Sequence, residues 1–260
     1  AFLVDKGGND DPHTLLANEG KSFQGSVTYD GMGFTFDDSN PNATPISEMY
    51  RLIEKYPKNK KVIFPYIGGE EVNSSPTHAY HRYVINFGEM SEEKARQNYP
   101  DLMAIVEEKV KPYRKTKSAD VAAAPWWQFW RKRGELYQAI AHCDRVLVCS
   151  QTSKYFSFVF LPSNLVFSHK TVVFSLENYS EFAILQSRIH EHWVRFFGST
   201  MKDDPVYTPS DCFQTFPFPE NWETDPTLEQ IGETYYNFRA DLMVRNNEGL
   251  TDTYNRFHNP

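Results

Sequence analysis

The sequence predicts an α+β fold: a mixed, largely antiparallel sheet flanked by helices, with a C-terminal helical segment. Three observations predict it. Short runs of aromatic and β-branched residues read as strands, and between them lie amphipathic stretches with helical spacing. Cap and breaker residues bracket those stretches. Forty Phe, Trp and Tyr residues in a chain of 260 supply the apolar mass for a core, which excludes a disordered chain.

Taken in order, residues 1–21 are polar and rich in Gly, Asp and Asn, and are expected to form a linker from an upstream domain. The chain opens Ala1-Phe2-Leu3 without Met, which predicts a piece of a longer protein. From Ser22 the pattern is β-like, with Phe23, Val27, Tyr29, Phe34 and Phe36; Gly31 and Gly33 inside it imply a bulge or a close backbone approach. Thr44 is expected to cap a helix opened by Pro45, with Ile46, Met49 and Ile53 on one face. Strands follow at 62–64 and 83–87, separated by a polar loop through Pro76. Ser91 caps a charged helix that pauses at Pro100, resumes with Leu102, Ile105, Val106 and Val110, and stops near Pro112. A short helix over 135–142 precedes strands at 145–149, 155–161 and 171–175.

One long helix is expected over about 180–197, with the stripe Phe182, Leu185, Ile189, Trp193 and Phe196 and with Gly198 as terminator. After an aromatic-proline connection, Asp225 caps and Pro226 opens a last helix. Its Leu228, Ile231, Tyr235, Phe238 and Leu242 share a face that needs another surface to cover it. The expected organisation is a linker over 1–21, one domain over 22–220 and a helical segment over 221–260.

Composition bounds the function. No apolar run approaches the length of a membrane span, so no membrane partner is expected. Cys143, Cys149 and Cys212 form no CxxC pair, which argues against a zinc site or a disulfide framework and favours a reducing cytoplasm. The net charge is −7, but residues 109–133 carry eight Lys or Arg and one acid, Asp120. An acidic body with one basic stripe can seat an anionic partner; a solvated basic loop is the alternative reading.

Several motifs invite chemistry. Walker, GxSxG and methyltransferase-loop patterns are absent. Asp101, Glu107 and Lys109 imitate the PD…ExK of Mg²⁺-dependent nucleases, but on a segment with helical period, where a charged helix surface is the plainer reading. His190 and His192 are expected to stack or hydrogen-bond, since neighbouring helical positions diverge too far for a metal pair. In Pro125–Arg133 the Trp rings read as a core anchor, and Arg131 and Arg133 as phosphate contacts. A protein-interaction module, docking through aromatic surfaces, is the remaining alternative.

An ordered set of motifs then carries a resemblance: SFQGS (22–26) with GMGF (31–34), VIFPYIGGEEVNSSP (62–76), PWWQFWRKR (125–133), LQSRIHEHWVR (185–195), SDCFQTFPFP (210–219) and GLTDTYNRFHNP (249–260). The chain resembles the C-terminal specificity region of type IIL restriction–modification enzymes, the MmeI-like proteins, and of related single-chain adenine methyltransferases. The resemblance implies a non-catalytic target-recognition domain. Its partners would be double-stranded DNA and an upstream methyltransferase domain of the same polypeptide, which binds S-adenosylmethionine; restriction members also carry a nuclease. No cofactor or metal is expected within these residues. The resemblance implies base choice by the loop 198–207, through Ser199, Thr200, Lys202, Asp203 and Asp204. Lys109, Lys111, Arg114, Lys115, Lys117, Arg131 and Arg133 are expected on phosphates. Asn73, Ser74, Ser75 and Arg82 are weaker candidates for DNA contact.

Overall fold

The computed structural model describes residues 12–201 and 204–258. Two four-stranded sheets organise the chain. The first runs β2 (Thr35–Phe36), β4 (Arg82–Ile85), β3 (Ile63–Ile67), β7 (Val166–Phe167), antiparallel except for the parallel β3–β7 pair. The second, wholly antiparallel, runs β1 (Ser22–Gln24), β8 (Thr171–Phe174), β5 (Arg145–Ser150), β6 (Phe158–Pro162). A separate hairpin pairs β9 (Ser199–Met201) with β10 (Asp204–Val206).

Helices cover both sheets. Against the first pack α1 (Ile46–Lys55), α3 (Glu92–Asn98) and α4 (Pro100–Lys115), whose Met49, Leu52, Ala95, Leu102, Val106 and Val110 close a core over Phe34, Phe36 and Val84. The second sheet is buried on both faces, as the period of two along β5 requires. Val146 and Val148 face α6 (Gly134–Ala139), α2 (Gly69–Ser74), α9 (Pro226–Asn246) and α10 (Leu250–His258) through Leu136, Val72, Met243 and Leu250. Leu147 and Cys149 face α7 (Tyr179–Leu185) and α8 (Arg188–Phe197) through Phe182, Leu185 and Val194. A short α5 (Ala119–Ala123) sits in the basic connection after α4.

The α+β class and largely antiparallel pairing stand as expected. Local signals placed most elements: the Ser91 hydroxyl accepts from the Lys94 N–H, and the Asp225 carboxylate accepts from the Thr227 N–H just after Pro226. Several expectations are corrected by contacts distant in sequence. Residues 15–18 are tied to the body rather than forming a linker, because Leu15 N donates to Gln214 O and buried Asn18 donates to the carbonyls of Phe213 and Phe216. Residues 1–11 lie outside the described region. Thr44 is not the cap of α1; the Asp38 carboxylate reaches the Ile46 N–H at 2.9 Å and takes that place. The expected polar loop after β3 contains α2, with Glu71 bonding back to the Gly68 N–H at its start.

Two helices depart further. The stretch expected to stop near Pro112 continues to Lys115, where the buried Arg114 side chain pins the last turn to neighbouring loops. The single helix over 180–197 is two helices, because Ser187 breaks the run and its hydroxyl caps α8 by accepting from the His190 N–H. The break rotates the buried face onto His190 and Val194 and leaves Ile189 74% and Phe196 54% exposed. Along α9 the packed residues are Gly232, Arg239 and Met243, while the predicted stripe residues Ile231 and Phe238 are 57% and 63% exposed. Gly232 explains the choice: a Cβ there would lie 2.1 Å from Tyr179 O, so only that face lets α9 approach α7. Among the described residues, no helix is long and apolar enough to cross a membrane.

Candidate nucleic-acid interface

The sheets meet where Gly25–Ser26 crosses Phe167–Ser168. Ser26 N donates to Phe167 O, and a Cβ on Gly25 would lie 2.2 Å from Ser168 O, so the crossing requires glycine. Beside it open two clefts. One, of about 700 Å³, is lined among others by Tyr66, Gly69, Glu70, Asn73, Thr152 and Lys170. The other, of about 690 Å³, is lined by Gln24, Tyr29, Tyr113, Trp130, Arg131 and Arg133. Thr28, Asp30, Met32 and His169 belong to both, so the clefts form one continuous groove.

The basic stripe does not stay together. Arg131 and Arg133 line the groove; the Arg131 guanidinium lies 4.2 Å from the Trp130 ring centroid, and Arg133 donates to Gln24 Oε1 at 3.0 Å. Exposed Lys117 lies 4.1 Å from the centroid of Tyr113, another groove residue, and Lys115, two residues after Tyr113, is exposed. Lys109 and Lys111 point elsewhere: Lys109 donates to Asn42 O and Lys111 to Glu107. Arg114 corrects the expectation of a phosphate contact. It is 1% exposed, and its guanidinium donates to the carbonyls of Thr28, Tyr29, Pro125 and Gln128. Burial pushes its pKa down to about 10. Four of its five N–H donors are taken up by backbone carbonyls and the side chain is buried, so it holds the groove's edge rather than a ligand.

The segment expected as a base-choosing loop is the β9–β10 hairpin. Its ladder pairs Ser199 with Val206, Thr200 with Pro205 and Met201 with Asp204; Lys202 and Asp203 lie outside the described residues. Ser199, Thr200 and Asp204 are exposed. The hairpin's base is rigid. Gly198 leaves no room for a side chain, with Val194 O 2.5 Å from a notional Cβ, and buried Tyr207 donates from its N–H to Gln151 O. Tyr207 Oη and His190 Nε2 are 2.9 Å apart, with the Tyr207 ring against Phe156, Phe158 and Phe174. Burial pushes the His190 pKa down to about 3, which keeps the ring neutral. Val206 bridges to Thr152, a groove residue, so hairpin and groove share one wall.

The weaker candidates divide. Asn73 and Ser74 end α2 at the groove, whereas Ser75 accepts from the Ala79 N–H. Arg82 lines the groove but is held by the buried Glu71 carboxylate at 2.6 and 2.8 Å. Burial raises the Glu71 pKa, but the Arg82 guanidinium outweighs it and holds the carboxyl below its ordinary value. The nuclease-like residues form helix-surface ion pairs, Asp101 with Lys55 and Glu107 with Arg96 and Lys111. The Arg96 hydrogen bond, then that of Lys111, pulls the Glu107 pKa down to about 2.

Sequence reasoning missed His169 and Lys170, which occupy the turn between β7 and β8 on the groove floor. Their only signal was two adjacent nitrogen-bearing side chains between strands. Burial first, then the positive charges of Lys170 and Arg133, push the His169 pKa down, a sign of positive potential in the groove.

Comparison with known proteins agrees with this architecture. A family model described as MmeI, target recognition domain, matches residues 16–220. A curated relative, DNA methyltransferase A of Bacillus subtilis (strain 168), is 26% identical over 210 residues, covering 75% of this chain and 21% of the relative. The solved structure of the type IIL restriction–modification enzyme MmeI in complex with DNA superposes with a TM-score of 0.67 at 20% identity, over 94% of this chain and 31% of that one. The chain thus spans about a fifth of the curated relative and under a third of the solved one. With four-fifths of its length inside the matching model, the chain belongs to the family of MmeI target recognition domains.

Proposed function

We propose that this chain reads a duplex DNA sequence for an attached adenine methyltransferase, as the specificity domain of a restriction–modification polypeptide. The β9–β10 hairpin enters the major groove, which admits a two-stranded ribbon. Ser199, Thr200 and Asp204 face base edges; Lys202 and Asp203, outside the described residues, join them as base readers on the resemblance alone. Arg131, Arg133, Lys115, Lys117 and Lys170 lie along the sugar–phosphate backbone and set the register. S-adenosylmethionine and the transfer step belong to the upstream part of the polypeptide, and restriction members add a nuclease there.

One observation carries this reading: the Val206–Thr152 bridge makes an exposed hairpin and a basic groove one continuous surface. The test is methylation-aware sequencing of DNA from cells expressing the intact polypeptide. Asp204→Arg should change one base of the methylated motif, because a carboxylate accepts from the cytosine amine and a guanidinium donates to guanine. Lys115→Ala with Lys117→Ala should keep the motif and reduce the log–log salt slope of binding by about 0.9 per lost phosphate contact. An active Asp204→Arg enzyme with an unchanged motif, beside a double-alanine variant with an unchanged slope, would sink the assignment.

A further inference from the structure

The segment 28–33 between β1 and β2 has a construction that a plain connection between two strands does not require. Its backbone is left-handed at Tyr29 (φ 45°), Gly31 (φ 58°) and Met32 (φ 73°). Such conformations persist at non-glycine residues only where the surroundings over-determine them. Here they do. Arg114 donates to the carbonyls of Thr28 (2.7 Å) and Tyr29 (3.1 Å) from below. The Asp30 carboxylate accepts from the Thr28 hydroxyl and the Phe34 N–H at 2.7 and 2.9 Å. Gly31 rests on the Tyr113 ring, which a Cβ would approach to 2.6 Å.

The locked loop presents two side chains to the groove. Met32 stands where the two clefts join, half-buried. The Tyr29 ring, 42% exposed, stands edge-on to Trp130 at 5.0 Å, beside the Arg131 guanidinium. An apolar side chain on a locked backbone, at the junction of two clefts that are also lined by Arg131, Arg133 and Lys170, has one feature of a duplex to match. The thymine C5-methyl is the apolar group on a base edge in the major groove, and it separates thymine from cytosine without a hydrogen bond.

We infer that the 28–33 loop is a second sequence-reading element, independent of the hairpin, in which Met32 packs on the methyl group of a thymine in the recognised site. The inference rests on the groove being the DNA seat proposed above. Arg114 and Asp30 are positioning residues, since they act through the loop backbone. Because φ is positive at residue 32, Met32→Gly removes the side chain while relieving the backbone, so the fold is kept.

The experiment measures binding of the purified intact polypeptide to duplexes carrying its methylated motif, with each thymine replaced in turn by deoxyuridine, which lacks only the methyl group. Wild type should lose roughly fourfold in affinity at one position, the worth of one buried methyl. Met32→Gly should be indifferent to uridine at that position, should accept cytosine there, and should keep its thermal midpoint; Met32→Leu should restore the preference for thymine. A motif without thymine, or a folded Met32→Gly variant with the uridine profile of wild type, overturns the inference. The salt slope of the Lys115→Ala, Lys117→Ala variant separates this failure from the failure of the groove as the DNA seat. If that slope falls while Met32→Gly keeps the wild-type uridine profile, only the loop is wrong; if neither changes, the groove itself is.

Discussion

Two arginines buried in different halves of the molecule show how one residue type does two kinds of work. Arg114, 1% exposed, sits at the end of α4 with its four hydrogen bonds on the loop carbonyls of Thr28, Tyr29, Pro125 and Gln128. Arg239, 4% exposed, sits inside α9 among the rings of Phe182, Tyr235 and Tyr236. It donates to Phe158 O, Gln186 Oε1 and the Tyr254 hydroxyl. Loop carbonyls outside any ladder have no partner once water is removed, so Arg114 completes two loops that would otherwise be unstable beside the groove. Arg239 joins a helix to a sheet edge mostly through stacking and side-chain acceptors that can turn to other partners. The first arginine builds the rim of a site and the second builds a joint.

The largest expected effect tests that contrast directly. Arg114→Met takes the guanidinium donor from the carbonyls of Thr28, Tyr29 and Gln128 and leaves Pro125 O with the Gln128 N–H alone; it should lower unfolding stability by about 3–5 kcal/mol, whereas Arg239→Met should cost about 2–3 kcal/mol, both read by urea denaturation. Equal losses would remove the distinction between rim and joint.

Next comes the seat of α9. Gly232→Ala places a methyl against Tyr179 O and should cost about 1–3 kcal/mol in the same assay.

A third measurement compares a buried polar pair with these charged ones. Tyr207→Phe strips the partner from His190 Nε2 and should cost about 1–3 kcal/mol at neutral pH. The same pair sets a pH dependence. The His190 ring is neutral in the fold down to about pH 3, against an ordinary value of 6.5, so the unfolded chain binds the extra proton between those limits. Stability is therefore complete above pH 6.5 and falls on acidification toward pH 3, and His78, pushed by burial down to about 4, acts in the same direction. Replacing His190 by Gln should make the fall between pH 6.5 and 4.5 shallower, by up to ~1.4 kcal/mol per pH unit. An unchanged slope would mean that His190 does not remain neutral.

The smallest effect is expected at Ile231→Asp. The side chain is 57% exposed, and the change should stay within about 0.5 kcal/mol, although the residue belongs to the apolar stripe that the sequence offers for packing. A larger loss would return α9 to the orientation expected from its sequence.

The positions of the basic and aromatic residues were legible, but their assignments were less so. Ser91 and Asp225 were readable as caps because a cap is satisfied within three residues of itself. The strand β5 was readable as a short continuous apolar run, because both of its faces are buried. The hairpin was legible as a polar segment after a helix terminator, but not as β9 and β10, whose short ladder pairs only within the folded chain.

What the sequence by itself determined, then, is what local chemistry enforces: the α+β class, most helix starts, the strands with strong period, and a family membership carried by ordered motifs. Tertiary structure alone decided which face of α9 is buried, since the close approach to Tyr179 that Gly232 permits, where a Cβ would lie 2.1 Å from Tyr179 O, outweighs a more apolar stripe. It decided that Arg114 is a brace, because carbonyls 85 and 86 residues earlier in the chain reach it before any ligand could. It also assembled the groove, whose floor at His169 and Lys170 and rim at Thr28–Met32 come together only where two sheets cross. Such contacts are satisfied between distant segments, and no window of sequence contains both partners.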